Sequence, residues 1–189
     1  MSRASRIVLG VTGSIAAYKA AELVRLMISR GWEVSVVMTR AAEEFVSPLT
    51  FQTLSRQPVG TGLFQEKDGW HPEHISYADR ADVLVIAPCT ANVMAKLAHG
   101  LADDLLSCTA LATRAPLVIA PAMNDNMWAH PATRANMETL KARGVFFVDV
   151  GSGELACGRN GEGRLAELDN IMKIVDKVLA KHPDRGGSR

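Results

Sequence analysis

The sequence lacks any real surplus of charge, with 21 Lys and Arg against 20 Asp and Glu in 189 residues. Nothing in that balance draws the chain to nucleic acid or to an anionic membrane surface, so a small-molecule partner is expected. Cysteine is scarce as well: Cys89, Cys108 and Cys157 are odd in number, widely spaced and without a C-x-x-C pair. Neither a disulfide relay nor a zinc site is expected, no metal ligand is assigned, and reduced thiols fit a cytoplasmic setting. No uninterrupted apolar run reaches the ~20 residues that a membrane helix needs. The basic stretch Met1 to Arg6 only faintly imitates a secretory leader, because Thr12-Gly13-Ser14 breaks the apolar run behind it and Lys19 and Glu22 follow. Repeats, heptads and low-complexity blocks are missing. So are G-x-G-x-x-G and G-x-x-x-x-G-K-[ST], so neither a dinucleotide nor a P-loop nucleotide is signalled.

What is present is an alternation of short apolar runs with amphipathic segments. Ile7 to Val11, Glu33 to Met38, Asp82 to Ala87, Pro116 to Ala120 and Val145 to Val148 read as strands, with Pro58-Val59 as a brief edge strand. Helical spacing follows the first run through Met27, Asp103-Asp104 start a helix to about Ala112, Pro131 opens one stopped by Gly144, and residues 168–181 form an amphipathic closing helix. The fold class is α/β: a Rossmann-like, doubly wound parallel sheet in three layers, one domain over residues 1–182, with 183–189 a disordered tail. For a strand order 3-2-1-4-5-6, the ligand crevice lies beyond the first strand and the Asp82 to Ala87 strand.

Two turns flank that crevice. In the first, Gly13 offers backbone freedom and Ser14 a cap for the following helix, which suits a phosphate at the helix's positive end, that of a mononucleotide. The second, Thr90-Ala91-Asn92, also carries small polar residues, and Thr39 stands at the carboxyl end of the second strand. Residues 60–73 read as a long loop reaching over a ligand or a neighbouring subunit, with exposed-looking Phe64 and Trp70, and His74-Ile75 ends it. Loop 122–130 sets Asn124, Asp125 and Asn126 among methionines and a tryptophan, a polar handle in an apolar ligand wall, although the same residues suit a simple Asx turn. Residues 151–163 hold five of the fifteen glycines around Cys157. They read either as a disordered loop or as a glycine-hinged lid carrying a thiol, with Arg159 or Arg164 lowering its pKa or gripping an anion.

Taken together, GVTGSIAAYK, the HIS…AD segment, APCTAN, PAMNDNMW and GELACGRNGEGR resemble the flavin-containing cysteine decarboxylase family over roughly residues 6–175, most nearly its members acting in coenzyme A biosynthesis. The resemblance implies FMN held by Gly13, Ser14, Ile15, Thr39, Thr90, Ala91, Asn92 and Ala122. It implies His74 as active-site base, Asn124 on the substrate carboxylate, the Ala156 backbone touching substrate and Cys157 as proton donor. The implied reaction turns 4'-phosphopantothenoylcysteine into 4'-phosphopantetheine. A thioaldehyde formed by flavin oxidation accepts the electrons released with CO2, and the enethiolate is then reduced. Homo-oligomers, trimers or dodecamers, are implied, with the flavin near a subunit boundary. Cys89, Val93 and Tyr77 depart from the family pattern, so flavin contacts are expected to differ there. Three matters stay open: a peptide C-terminal cysteine as substrate, a flavin-binding regulatory subunit without turnover, and whether the domain stands alone or is half of a fusion with a ligase.

Overall fold

The computed structural model describes residues 3–64, 72–154, 156 and 158–182. Trp70, Cys157 and the expected tail 183–189 lie outside the described residues. The strands form where valine, isoleucine and leucine crowd together, and helices follow wherever a capping residue or proline ends the run. In chain order the elements are β1 (Arg6–Val11), α1 (Ala17–Ser29), β2 (Glu33–Met38), α2 (Arg40–Glu43), α3 (Pro48–Ser55), α4 (Glu73–Arg80), β3 (Val83–Cys89) and α5 (Ala91–His99). They continue with α6 (Leu105–Ala112), β4 (Leu117–Pro121), α7 (Asp125–Ala129), α8 (Pro131–Ala142), β5 (Phe146–Phe147), β6 (Gly151–Glu154), β7 (Asn160–Arg164) and α9 (Leu168–Lys181).

The main sheet is parallel in the order β2-β1-β3-β4-β5. Beyond β2, Gly60 makes one parallel bridge to Val37. The edge strand expected at Pro58-Val59 is thus a single bridge next to β2, and counting it restores the order 3-2-1-4-5-6. Helices α1, α3 and α9 cover one face through Leu23, Met27, Phe51, Ile171 and Val175. Helices α4, α5, α6 and α8 cover the other through Tyr77, Met94, Leu105, Leu106 and Leu140. Each such buried side chain contributes about 1.5–3 kcal/mol. Local signals agree with this packing: Asp104 and Ser107 close a reciprocal capping box on α6, as the acidic pair at 103–104 predicts.

Four segments differ from the expectations. Ser14 does not occupy the cap position: Ala16 does, without a side-chain cap, and the Ser14 hydroxyl accepts the Ala16 N–H at 3.2 Å. Gly13 is not among the glycines with positive φ. It is glycine for space, because a Cβ there would lie 2.5 Å from Ala41 Cβ. Residues 73–80, given no element by the sequence, form α4, with His74 in its first turn. In the glycine-rich segment the described residues of β6 and β7 pair antiparallel as a hairpin.

The chain leaves β1 toward one face and β3 toward the other, and a crevice opens between these neighbouring strands. Thr12, fully buried, ties its two sides together. Its hydroxyl donates to the Pro88 carbonyl at 2.7 Å and accepts the Thr90 N–H at 3.0 Å. Replacing Thr12 by Val keeps the shape but strands a buried carbonyl and an N–H. Urea unfolding of Thr12→Val is expected to show a loss of about 1–3 kcal/mol, most of it restored in Thr12→Ser; equal midpoints for Thr12→Val and wild type would dismiss the tie as a stabilising contact.

Candidate functional site

The site is built where three backbone connections meet at the carboxyl ends of the strands. The first is the turn after β1, leading through Ser14 and Ile15 into α1. The second is the turn after β4, set by the Ala122 N–H donating to the Cys89 carbonyl at 3.0 Å. The third is the β6–β7 hairpin, docked on the second: the Met123 N–H donates to the Gly163 carbonyl at 2.9 Å. Gly163 has φ +121°, and any Cβ there would run into the Met123 carbonyl. Glycine at 163 therefore allows the hairpin to lie directly on the turn.

These connections enclose a pocket of about 410 Å³. Ser14, Ile15, Ala122, Asn124 and Ala156 all line it. Asn124 caps α7, its Oδ1 accepting the Asn126 N–H at 2.9 Å. The Asx geometry and the site are therefore one feature, since that bond orients the amide and makes its NH2 the donor end. Arg159 reaches back from the hairpin to pair with Asp125 at 3.1 Å, which ties the hairpin to α7.

Other expected site residues lie elsewhere. Gly13 packs against Ala41, and Thr90 caps α5 by accepting the Val93 N–H at 3.3 Å. Ala91 begins α5, followed by exposed Asn92. Thr39 ends β2 nearly buried, and its hydroxyl oxygen has no hydrogen-bond partner. His74 is half-buried on α4, which packs against α6 on the other face of the sheet. None of these six lines the pocket.

The environments of the two described cysteines disfavour a thiolate. Cys89 is fully buried, and desolvation holds its thiol far above the usual range. The Cys108 thiol is also raised, by burial first and then by the Asp104 and Asp103 carboxylates. Cys89, Val93 and Tyr77, the departures from the family pattern, are all core residues outside the pocket, so they alter packing rather than its wall.

Sequence reasoning missed Lys19, Tyr18 and Glu154 as pocket residues, while Met123 lines the pocket as part of the apolar wall expected of loop 122–130. Lys19 gave no signal, because a lysine in the first turn of an amphipathic helix is ordinarily solvated. None existed for Glu154, whose hairpin alternates glycine with polar residues and so shows no apolar face. Among the described residues no cluster suits a metal ion, and no helix is long and apolar enough to cross a membrane.

Comparison with known proteins agrees with this architecture. The model of the family described as Flavoprotein matches residues 1–181. The coenzyme A biosynthesis bifunctional protein CoaBC of Bacillus subtilis (strain 168) is 48% identical over 175 residues, covering 93% of this chain and 43% of the relative. The chain thus spans less than half the length of that curated relative. Among solved structures, a cysteine-to-serine mutant of PPC decarboxylase complexed with pantothenoylaminoethenethiol superimposes with a TM-score of 0.84 at 33% identity, covering 94% of this chain and 100% of the other. The FMN-dependent cysteine decarboxylase SpaF gives a TM-score of 0.81 at 30% identity, covering 95% and 98%. With almost its whole described length matched by one family model, the chain belongs to the Flavoprotein family.

Proposed function

We propose that this chain is an FMN-dependent carboxy-lyase that converts 4'-phosphopantothenoylcysteine to 4'-phosphopantetheine in coenzyme A biosynthesis. The observation that carries the reading is one pocket formed by Ser14, Ile15, Ala122, Asn124 and Ala156, the last next in sequence to Cys157. Similarity to a PPC decarboxylase and to an FMN-dependent cysteine decarboxylase over nearly the whole chain supports it.

The residues present fit FMN. A buried hydroxyl without a partner costs about 1–3 kcal/mol, and the Thr39 oxygen at the strand ends is such a group, which a ligand in the crevice would satisfy. Ser14, Ile15 and Ala122 would hold the cofactor within the pocket, with Gly13, Thr39, Thr90, Ala91 and Asn92 completing its cradle along the crevice. FMN, when bound, supplies a reversible two-electron acceptor beside the substrate.

The chain's own residues then do the following. Asn124, its amide held by Asn126, donates its NH2 to the substrate carboxylate and fixes the bond that breaks. The hairpin covers the substrate and excludes water, with the Ala156 backbone against it. Cys157 delivers a proton to the carbon that lost CO2. His74 acts as base for the first oxidation. It lies outside the pocket of its own subunit and is half-exposed, so we assign it to a neighbouring copy's site in a homo-oligomer, a trimer or a dodecamer of trimers.

Incubating the purified protein with phosphopantothenoylcysteine and, separately, with a peptide ending in cysteine tests the substrate class through CO2 release. Release from the peptide alone would replace this reading with a peptidyl-cysteine decarboxylase. Absence of release from both would leave a flavin-binding protein without this activity.

Asn124→Asp isolates the carboxylate contact, because aspartate still accepts the Asn126 N–H and keeps the cap. Loss of a charge-assisted bond is worth about 1.5–3 kcal/mol, so kcat/KM is expected to fall at least about tenfold while FMN binding persists. An unchanged kcat/KM removes Asn124 from the carboxylate site.

Cys157→Ser and His74→Asn are expected to fail at different stages. A serine hydroxyl is far less acidic than a thiol, so Cys157→Ser releases CO2 in one turnover and yields the unsaturated enethiol. His74→Asn releases none. Product mass spectrometry decides, and saturated product from Cys157→Ser at wild-type rate would leave the hairpin only a covering role.

A further inference from the structure

The described residues include six half-buried cationic side chains: Arg6, Lys19, Arg80, Lys96, Arg134 and Arg164. Four have partners within the fold. Arg6 lies near Asp82, and Lys96 bridges Asp103 and Asp104. Arg80 donates to Ser76 and stacks on Tyr77, while Arg134 lies 4.4 Å over the Trp128 ring. Among the described residues, Lys19 and Arg164 alone of the six have no hydrogen-bond, ion-pair or ring partner, and these two line the same pocket. Half-buried charge is costly without compensation, so the fold leaves a positive deficit aimed at one place.

Two further observations strengthen that deficit. Lys19 stands in the first turn of α1, where the helix dipole already favours anions and no acidic residue offsets it. Arg164 pairs with Gly151 across the hairpin, and its side chain runs past Gly153, where a Cβ would come within 2.7 Å of its Nη1, so glycine there clears the space the guanidinium occupies. The pocket holds one carboxylate, the exposed Glu154 on β6, which forms an ion pair with neither cation.

We propose that Lys19 and Arg164 form the anion-holding end of the pocket and bind the substrate's terminal phosphomonoester, which selects the phosphorylated substrate. This rests on the decarboxylase reading above. Arg164 belongs to the hairpin that carries Ala156, which the reading above lays against the substrate, so the proposal gives the pair the substrate's far end and Asn124 the cysteine carboxylate. A phosphate dianion accepts a forked guanidinium and an ammonium together, which a neutral hydroxyl in its place does not. The cofactor's own phosphomonoester is the other source of the same chemistry, and the experiment separates the two.

Holoenzyme carrying Lys19→Met, Arg164→Met or Arg164→Lys is compared with wild type on 4'-phosphopantothenoylcysteine and on unphosphorylated pantothenoylcysteine, and bound FMN is read from absorbance. Wild type is expected to prefer the phosphorylated substrate in kcat/KM. Each Met variant should lose at least about tenfold more kcat/KM on the phosphorylated substrate than on the other, mainly through KM, with FMN retained and Arg164→Lys partly rescued. Equal use of the two substrates by wild type overturns the phosphate assignment while leaving the decarboxylase reading intact. So do equal losses on both substrates, or loss of FMN from the Met variants, which would give the pair to the cofactor's phosphate. No CO2 from either substrate with wild-type holoenzyme overturns both.

Discussion

Everything at the working edge of this sheet hangs on a hydroxyl used twice. Thr12 is buried where β1 ends, and its oxygen both donates to Pro88 and accepts from Thr90. Parallel strands that send their chains to opposite faces must part at their carboxyl ends, and backbone groups there lose their sheet partners. One side chain that is donor and acceptor at once satisfies a carbonyl and an N–H across that gap. From Thr12 the bonding continues sideways. The Cys89 carbonyl accepts the Ala122 N–H, and the Met123 N–H then donates to the Gly163 carbonyl. A line of hydrogen bonds thus runs from the first turn, through the ends of β3 and β4, to the hairpin, and the pocket lies along it.

Much of the fold was legible because buried parallel strands need continuous apolar runs, and Ile7 to Val11 or Val83 to Ala87 offer nothing else. The closing helix at 168–181 was equally plain, since its apolar positions Ile171, Met172, Val175 and Val178 repeat at helical spacing. Helix α4 was not legible. EHISYADR buries only Tyr77 and Ala78, and what holds it is packing on α6, which no local pattern announces. The β6–β7 hairpin escaped for the opposite reason. Its strands, GSGE and NGEGR, alternate only between glycine and polar residues, which marks no apolar face, and their pairing is a backbone matter governed by Gly153 and Gly163.

The site divides along the same line. Asn124 could be picked out because its neighbours were chemically unusual for a loop, while Ala156 came only from the family resemblance. Lys19 could not, since a lysine on an amphipathic helix is ordinarily a solvated face. Its meaning depends on what stands opposite, and Arg164 arrives there only after the hairpin folds back. The three residues that looked like irregularities in the pattern, Tyr77, Cys89 and Val93, proved to be packing adjustments within one core. Chemical oddity in a sequence marks a site only when the backbone carries it to an open surface.

The bond between Met123 and Gly163 joins two parts that would otherwise keep separate time. To lift the hairpin, the protein must break the contact that steadies the turn next to Asn124, and part the Arg159 and Asp125 charges beside it. Displacing the hairpin and freeing the turn next to Asn124 are therefore one mechanical event.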